Sequence, residues 1–382
     1  MLVPRPLLCL LIAWLVTTQD GLAAERHRPI VIAHRGASGY RPEHTMEAYR
    51  LAIEQGADFI EPDVVMTKDG QLLARHDALL ARVELEESGE IRREAGQPKI
   101  DASGTSTNVW LLPQYADRLR VREVDGHRVG GWFVEDFTAA EIRADVRAQE
   151  RLPELRPANT AYNNLYVIPT LAEVLDLARE RNVGVYVETK HPTHFQRISE
   201  ATGLPRMEDQ LLKDLHDRFG KLREAPVYIQ SFEVANLQYL NRHTELRLIQ
   251  LLTASGQPQD FRLNHDVRTY ADLTRTNPQG LPFVKSYADG LGVHIDLVLP
   301  TDADSPEPTT LVPDAHQLGL EVHLWTFRAE NHFLPRSYRS SERPADLGNL
   351  PGRIDLFLRL GVDGIFTDHP DLGVQAVVRS RR

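Results

Sequence analysis

The chain has 382 residues, 42% of them hydrophobic, and a formal net charge of −10. That length holds one large α/β domain or two ordinary ones, and the composition supplies a full core and excludes a disordered chain. An acidic protein of this kind is a poor general binder of nucleic acid or anionic membranes, although a local basic pocket stays open to it.

The N-terminus reads "MLVPRPLLCLLIAWLVTTQDGLAA". Arg5 precedes an apolar run from Leu7 to Val16, and Gly21, Ala23 and Ala24 follow. This is the layout of a secretory signal peptide, residues 1–24, and it predicts export. The run is short for a bilayer span, so an N-terminal anchor is the alternative. The only cysteine, Cys9, lies in this segment behind Leu8, where a lipoprotein signal needs a small residue. Residues 25–382 therefore contain no thiol for a disulfide, a zinc site or a nucleophile. Catalysis must come from His, Asp, Glu, Lys, Arg or a bound metal.

Apolar strands then alternate with helical patterns. "PIVIAH" is the first strand, and "TMEAYRLAIEQG" puts Met46, Tyr49, Ile53 and Ala57 at helical spacing up to Gly56. "ADFIEPDVVMT" is the second strand; the turn "TKDGQ" returns the chain through "LLARHD". "TLAEVLDLARERN" opens with a capping box, Thr170 and Glu173. "VGVYVETKH", "VYIQSF", "LRLIQLL", "ADGLGVHI", "EVHLWTF" and "DGIFTD" complete eight strand candidates. Helical stretches such as "DQLLKDLHDRF", "VANLQYLNRH" and "IDLFLRLG" lie between them. Eight β/α units predict an α/β fold, a closed (β/α)8 TIM barrel. An open doubly wound sheet is the alternative, but "HRGASG" lacks its dinucleotide glycines. Residues 78–164 are charged and turn-rich. They read as a small inserted subdomain after the second strand, over the barrel's C-terminal mouth. "RAENHFLPRSYRSSERPADLGNLPG" is a second, smaller insertion.

Barrel enzymes carry their active residues at the C-terminal strand ends. Strand one ends in His34 and Arg35. Strand two carries Glu61 and Asp63 at i, i+2, which puts both carboxylates on one face. Two inward carboxylates are costly without a cation between them. Glu188 repeats the pattern one strand later, with Lys190. Three carboxylates suit Ca²⁺ or Mg²⁺ rather than zinc; pairing with Arg35 and Lys190 alone is the other reading. His34 at a strand end and His76 beside Asp77 can serve as base and acid in one cycle. His44, His191, His294 and His323 are more ordinary, as structural or substrate-lining residues. Arg35 presents a fork of donors matched to phosphate oxygens. Gly36 and Gly39 permit close approach of the backbone to a ligand. Glu43 is placed to orient Arg35 or the groups around a metal.

The motifs "HRGASGYRPEHT", "GADFIEPDVVMTKDGQLLARHD", "VYVETKHP", "YIQSF" and "DGIFTDHPD" resemble, in order, those of the glycerophosphodiester phosphodiesterases, and most of all their exported bacterial branch. The resemblance runs from Pro29 to Leu372. It implies a TIM barrel with a small inserted subdomain, occupying residues 25–382. It implies His34 and His76 as the acid–base pair, and Glu61, Asp63 and Glu188 as ligands of one divalent cation, calcium in preference to magnesium. Arg35 would neutralise the phosphate, Lys190 and Gln230 would line it, and Trp325 would lie near the alcohol group. With Glu43 these make the expected substrate-binding set. The substrate would be a small glycerophosphodiester, met in the periplasm, with no nucleic-acid partner and no stable membrane insertion after signal cleavage. A phospholipid-acting phosphodiesterase and a non-enzymatic binding barrel are the rival readings. Pro62, between two of the carboxylates, departs from an ordinary strand and suggests a bulge.

Overall fold

The computed structural model describes residues 28–300 and 307–380; the expected signal peptide lies outside them. Eight parallel strands form the barrel: Ile30–His34, Phe59–Glu61 continued by Asp63–Met66, Gly184–Thr189, Val227–Ser231, Arg247–Leu252, Gly290–His294, Glu321–Phe327 and Gly364–Thr367. Each pairs with the next, and the eighth returns to the first through Ile30–Gly364 and its neighbours. That closing pair excludes the open sheet, and the eight strands fall on the eight segments expected.

The second strand differs in one respect. Pro62 splits it, but Gly184 faces Phe59 and Glu188 faces Asp63, so the register on the third strand is unbroken and no bulge forms. Proline removes one ladder donor, yet its carbonyl still accepts from Glu188 N at 3.0 Å. Both flanking carboxylates therefore keep their inward direction.

The barrel interior is filled by Ile32, Phe59, Tyr186, Tyr228, Ile249 and Phe366. His323 joins this layer, with Nδ1 2.8 Å from the Tyr186 hydroxyl, which makes it a core residue. A larger apolar layer separates strands from helices. Helix Met46–Glu54 buries Tyr49 and Ala52 in it. Helix Leu171–Arg181 starts at the expected capping box: Thr170 Oγ1 accepts from Glu173 N, and the Glu173 carboxylate accepts from Thr170 N. Thr170→Ala is expected to cost about 1 kcal/mol, read as a drop of about 2 °C in thermal melting, with catalysis unchanged.

Between the return strand Leu72–Ala74 and this helix stands a three-stranded antiparallel sheet. Its central strand, His127–Phe133, lies between Leu79–Val83 and Leu119–Val124. Its hairpin turn reaches the barrel mouth, where Asp125 Oδ2 meets His191 Nδ1 at 2.5 Å and Asp125 O accepts from Arg262 at 2.6 Å. After the seventh strand, a loop containing Asn331–Phe333 and Arg336–Tyr338 folds over the same end. No described helix is long and apolar enough to cross a membrane.

Candidate active site

The first strand ends abruptly because Arg35 and Gly36 turn left-handed, at φ 62° and 84°. A Cβ on Gly36 would lie 2.7 Å from the Ala48 carbonyl carbon, so only glycine fits. A Cβ on Gly39 would strike the His369 ring at 2.5 Å. Both glycines therefore serve close packing of the protein on itself, not the ligand approach expected of them. The turn points the Arg35 backbone N–H at Glu61 Oε2, 2.8 Å away.

Glu61, Asp63 and Glu188 converge: one oxygen from each lies within 4.8 Å of the others, and all three are buried. Gln230, at the end of strand four, donates to Glu61 Oε1 at 3.0 Å, while its own Oε1 is buried without a partner. Lys190 Nζ lies 2.5 Å from Glu188 Oε1 and 3.5 Å from Asp63 Oδ1. Arg35 Nε stands 3.3 Å from Asp63 Oδ2. The two cations thus pair with the cluster, as the metal-free reading required, but they do not balance it. Burial, reinforced by Asp63 and Glu188, holds Glu61 well above the usual carboxylate range. Burial, with Asp63 adding to it and Lys190 opposing, pushes Glu188 up to about 8. Asp63 goes the other way: burial would raise it, but Lys190 and Arg35 hold it well below. Three converging buried carboxylates with two cations fit one hard divalent cation, which takes oxygen ligands and supplies the missing charge.

Both expected histidines face the same cavity, of about 480 Å³. His34 Nδ1 is 2.6 Å from Asp368 Oδ1. Asp368 is held well below its ordinary range, since Arg328 and Arg156 outweigh its burial. An ionised carboxylate only accepts, so His34 donates from Nδ1 and leaves the Nε2 lone pair free. His76 repeats this with Asp77 at 2.8 Å, and Asp77 is held low by Arg151 against its burial. Burial and then Arg35 lower His34 to about 4. Burial, Arg35 and Lys190 hold His76 well below its ordinary value. Both imidazoles are neutral at rest.

The remaining expected residues divide. Lys190, Gln230 and Trp325 line the cavity. The Trp325 ring meets Phe232 and His294 edge-on at 5.8 and 5.0 Å. Glu43 stands off the central cavity and bridges Arg35 at 2.8 Å and Arg151 at 3.0 Å. Of the ordinary histidines, His44 is closest to the cluster: it donates from Nε2 to Asp63 at 2.9 Å, and its Nδ1 pairs with the Tyr49 hydroxyl at 2.8 Å. Sequence reasoning missed Asp368, although it stands at the end of strand eight beside strand one. It also missed Arg151, Arg156 and Arg328. The first two lie in the insertion, where no pattern marks them.

Active sites of (β/α)8 enzymes occupy the C-terminal mouth, and this chain is built as one of those enzymes. The chain belongs to the glycerophosphoryl diester phosphodiesterase family, whose model matches residues 34–372, and it is an enzyme of that family. A glycerophosphodiester phosphodiesterase of Arabidopsis thaliana is 32% identical over 357 residues, covering 89% of this chain and 84% of the relative. One from Bacillus subtilis (strain 168) is 30% identical over 350 residues, covering 90% and 85%. Among solved structures, an Oleispira antarctica phosphodiesterase in complex with the product sn-glycerol-3-phosphate superposes with a TM-score of 0.53 at 19% identity, over 92% of this chain and 97% of that one. That likeness is one of fold.

Proposed function

We propose that the enzyme hydrolyses glycerophosphodiesters to glycerol 3-phosphate and an alcohol, with His34 and His76 as the acid–base pair and a divalent cation on Glu61, Asp63 and Glu188. The observation that carries this reading is the pair of imidazoles, each fixed at Nδ1 by a carboxylate, facing one cavity with an acidic trio. Calcium is the preferred ion, with magnesium second. When bound, the ion supplies Lewis-acid stabilisation of a phosphate oxygen and of nearby hydroxyls.

The chain's own residues do the rest. Arg35, held by Glu43, offers a fixed guanidinium to the phosphate, and Lys190 and Gln230 face the same space. Phe232 and Trp325 form an apolar wall for the carbon skeleton. One Nε2 takes the proton of the attacking oxygen, and the other returns a proton to the departing alcohol. The arriving phosphate anion favours protonating one of the two neutral rings, which creates the acid. Water, or first the glycerol 2-hydroxyl through a cyclic phosphate, forms the new P–O bond as the ester bond breaks.

Membership of the exported bacterial branch and a periplasmic location belong to the same reading. They are supported by the motifs and by the Arg5–Val16 layout ahead of a cysteine-free remainder. Residues 25–382 then act as one catalytic domain, with 78–164 as its insertion.

The test is release of glycerol 3-phosphate from glycerophosphoglycerol and glycerophosphocholine, in EDTA and with calcium or magnesium restored. Release that returns with the metal is expected. A folded sample that cleaves neither substrate with either ion overturns the reading. Cleavage of phospholipid vesicles alone transfers it to the lipid-acting rival.

A further inference from the structure

Two further cavities flank the central one, and their linings differ in charge. One, of about 230 Å³, opens beside His34 against segment 151–156 of the insertion; Arg35, Arg151, Arg156 and Arg328 face Glu43 and Asp368 there. The other, of about 560 Å³, opens beside His76, where Asp125, Glu188 and Glu233 outnumber Lys190 and Arg262. His34, Arg35 and Arg328 line both the central cavity and the one beside His34. A phosphate seated at Arg35 therefore has space on two sides. The carboxylate trio and the Trp325 wall are on one side, and the arginine cavity is on the other.

We propose that the cavity beside His34 receives the departing alcohol, and that its arginines select alcohols carrying an anionic group over cationic ones such as choline. This rests on the phosphodiesterase reading above.

Much of this charge is paired within the protein, and Arg328 is the least engaged of the four arginines. Arg35 is paired with Glu43 and Asp63, and Arg151 with Glu43 and Asp77. Arg156 spans Glu330 and Asp368, both at 2.5 Å. Arg328 has only Nε on Asp368, at 2.8 Å, and that carboxylate already serves Arg156 and His34. The two terminal nitrogens of Arg328 make no hydrogen bond among the described residues. Its side chain is 26% exposed, and its guanidinium carbon lies 4.9 Å from the centre of the Phe333 ring, which steadies it. A partly buried guanidinium with free donors binds an anionic oxygen by charge-assisted hydrogen bonds, and it repels an ammonium group in the same space. At roughly 30 Å³ per water, the cavity has room for a phosphorylated polyol.

Three substrates sharing one glycerophosphate half test this. Bis(glycerophospho)glycerol releases an anionic alcohol, glycerophosphoglycerol a neutral one and glycerophosphocholine a cationic one. The wild-type kcat/KM is expected to fall in that order, by about tenfold from first to last, and the spread is expected to shrink as salt rises. In Arg328→Gln the spread should collapse to about twofold, chiefly through a higher KM for the anionic substrate. Any effect of Arg328 on Asp368 scales all three substrates alike, so the ratio isolates the subsite. Equal rates in the wild type, a preference for choline, or an unchanged ratio in Arg328→Gln overturns the inference and leaves the phosphodiesterase reading standing. If Arg328→Gln does not fold, the wild-type order decides alone. Cleavage of none of the three with metal present removes both.

Discussion

Replacing His34 with Ala is expected to lower kcat by a factor of about 10² to 10⁴, the range general acid–base catalysis supplies, with little change in KM or thermal melting. The fold survives because the partner left behind is still satisfied. Asp368 keeps Arg156 at 2.5 Å and Arg328 at 2.8 Å, so no lone charge is buried. The vacated volume adjoins a solvent-accessible cavity, so the cost of an enclosed void does not arise. Asp368→Asn is the sharper companion. Its amide can face His34 with N–H, which moves the imidazole proton to Nε2 and blocks it as a base, as in other carboxylate–histidine pairs. Turnover should then fall nearly as far as in His34→Ala while His34 itself remains. Steady-state kinetics and melting curves on the two variants check this together. Near-wild-type turnover in His34→Ala removes that residue from the chemistry. A fall in Asp368→Asn matched by loss of fold would make Asp368 a structural ion-pair partner only.

Much of this site was legible because barrel geometry converts strand ends into an address. Glu61 and Asp63 at i, i+2 could be put on one face from spacing alone, and Glu188 joined them as the same pattern one strand later, while its place opposite Asp63 came only with the register. His76 could be brought back by the "TKDGQ" turn. The groups that set the histidines' states were harder to see. Asp368 is remote from His34 in sequence and adjacent only because strand eight closes on strand one. It was reachable by carrying the strand-end logic around the ring. Arg151 and Arg156 were not reachable in that way. They come from a stretch with no regular period, and their positions depend on how the inserted sheet docks. Pro62 misled in the opposite direction: a local rule suggested a bulge, but pairing on the third strand kept the register. The two glycines misled similarly, since a need for small residues does not say what approaches them.

Glu188→Gln is expected to separate the cluster's stability from its function. Without metal, Glu188 is raised from an ordinary 4.5 to about 8, so the folded state favours its protonated form. That contribution is complete below pH 4.5 and is lost as the pH rises towards 8. Metal-free wild-type protein should therefore melt at progressively lower temperature across that window. A cation must displace the proton to bind, so its affinity, and the stabilisation it brings, should grow over the same window. The glutamine side chain is the uncharged form made permanent. Its amide can donate to Asp63 while its carbonyl accepts from Lys190. The variant should melt as high as the wild type or higher in EDTA at pH 8, with a flatter pH slope. It should also lose the rise in melting temperature on adding calcium, and turnover should fall on the order of 10²-fold or more with the ligand gone. Melting temperature against pH, with and without calcium, reads both halves at once. A variant that keeps calcium-stimulated turnover would show that Glu188 is no ligand, and that its raised pKa reflects only a crowded ion-pair network.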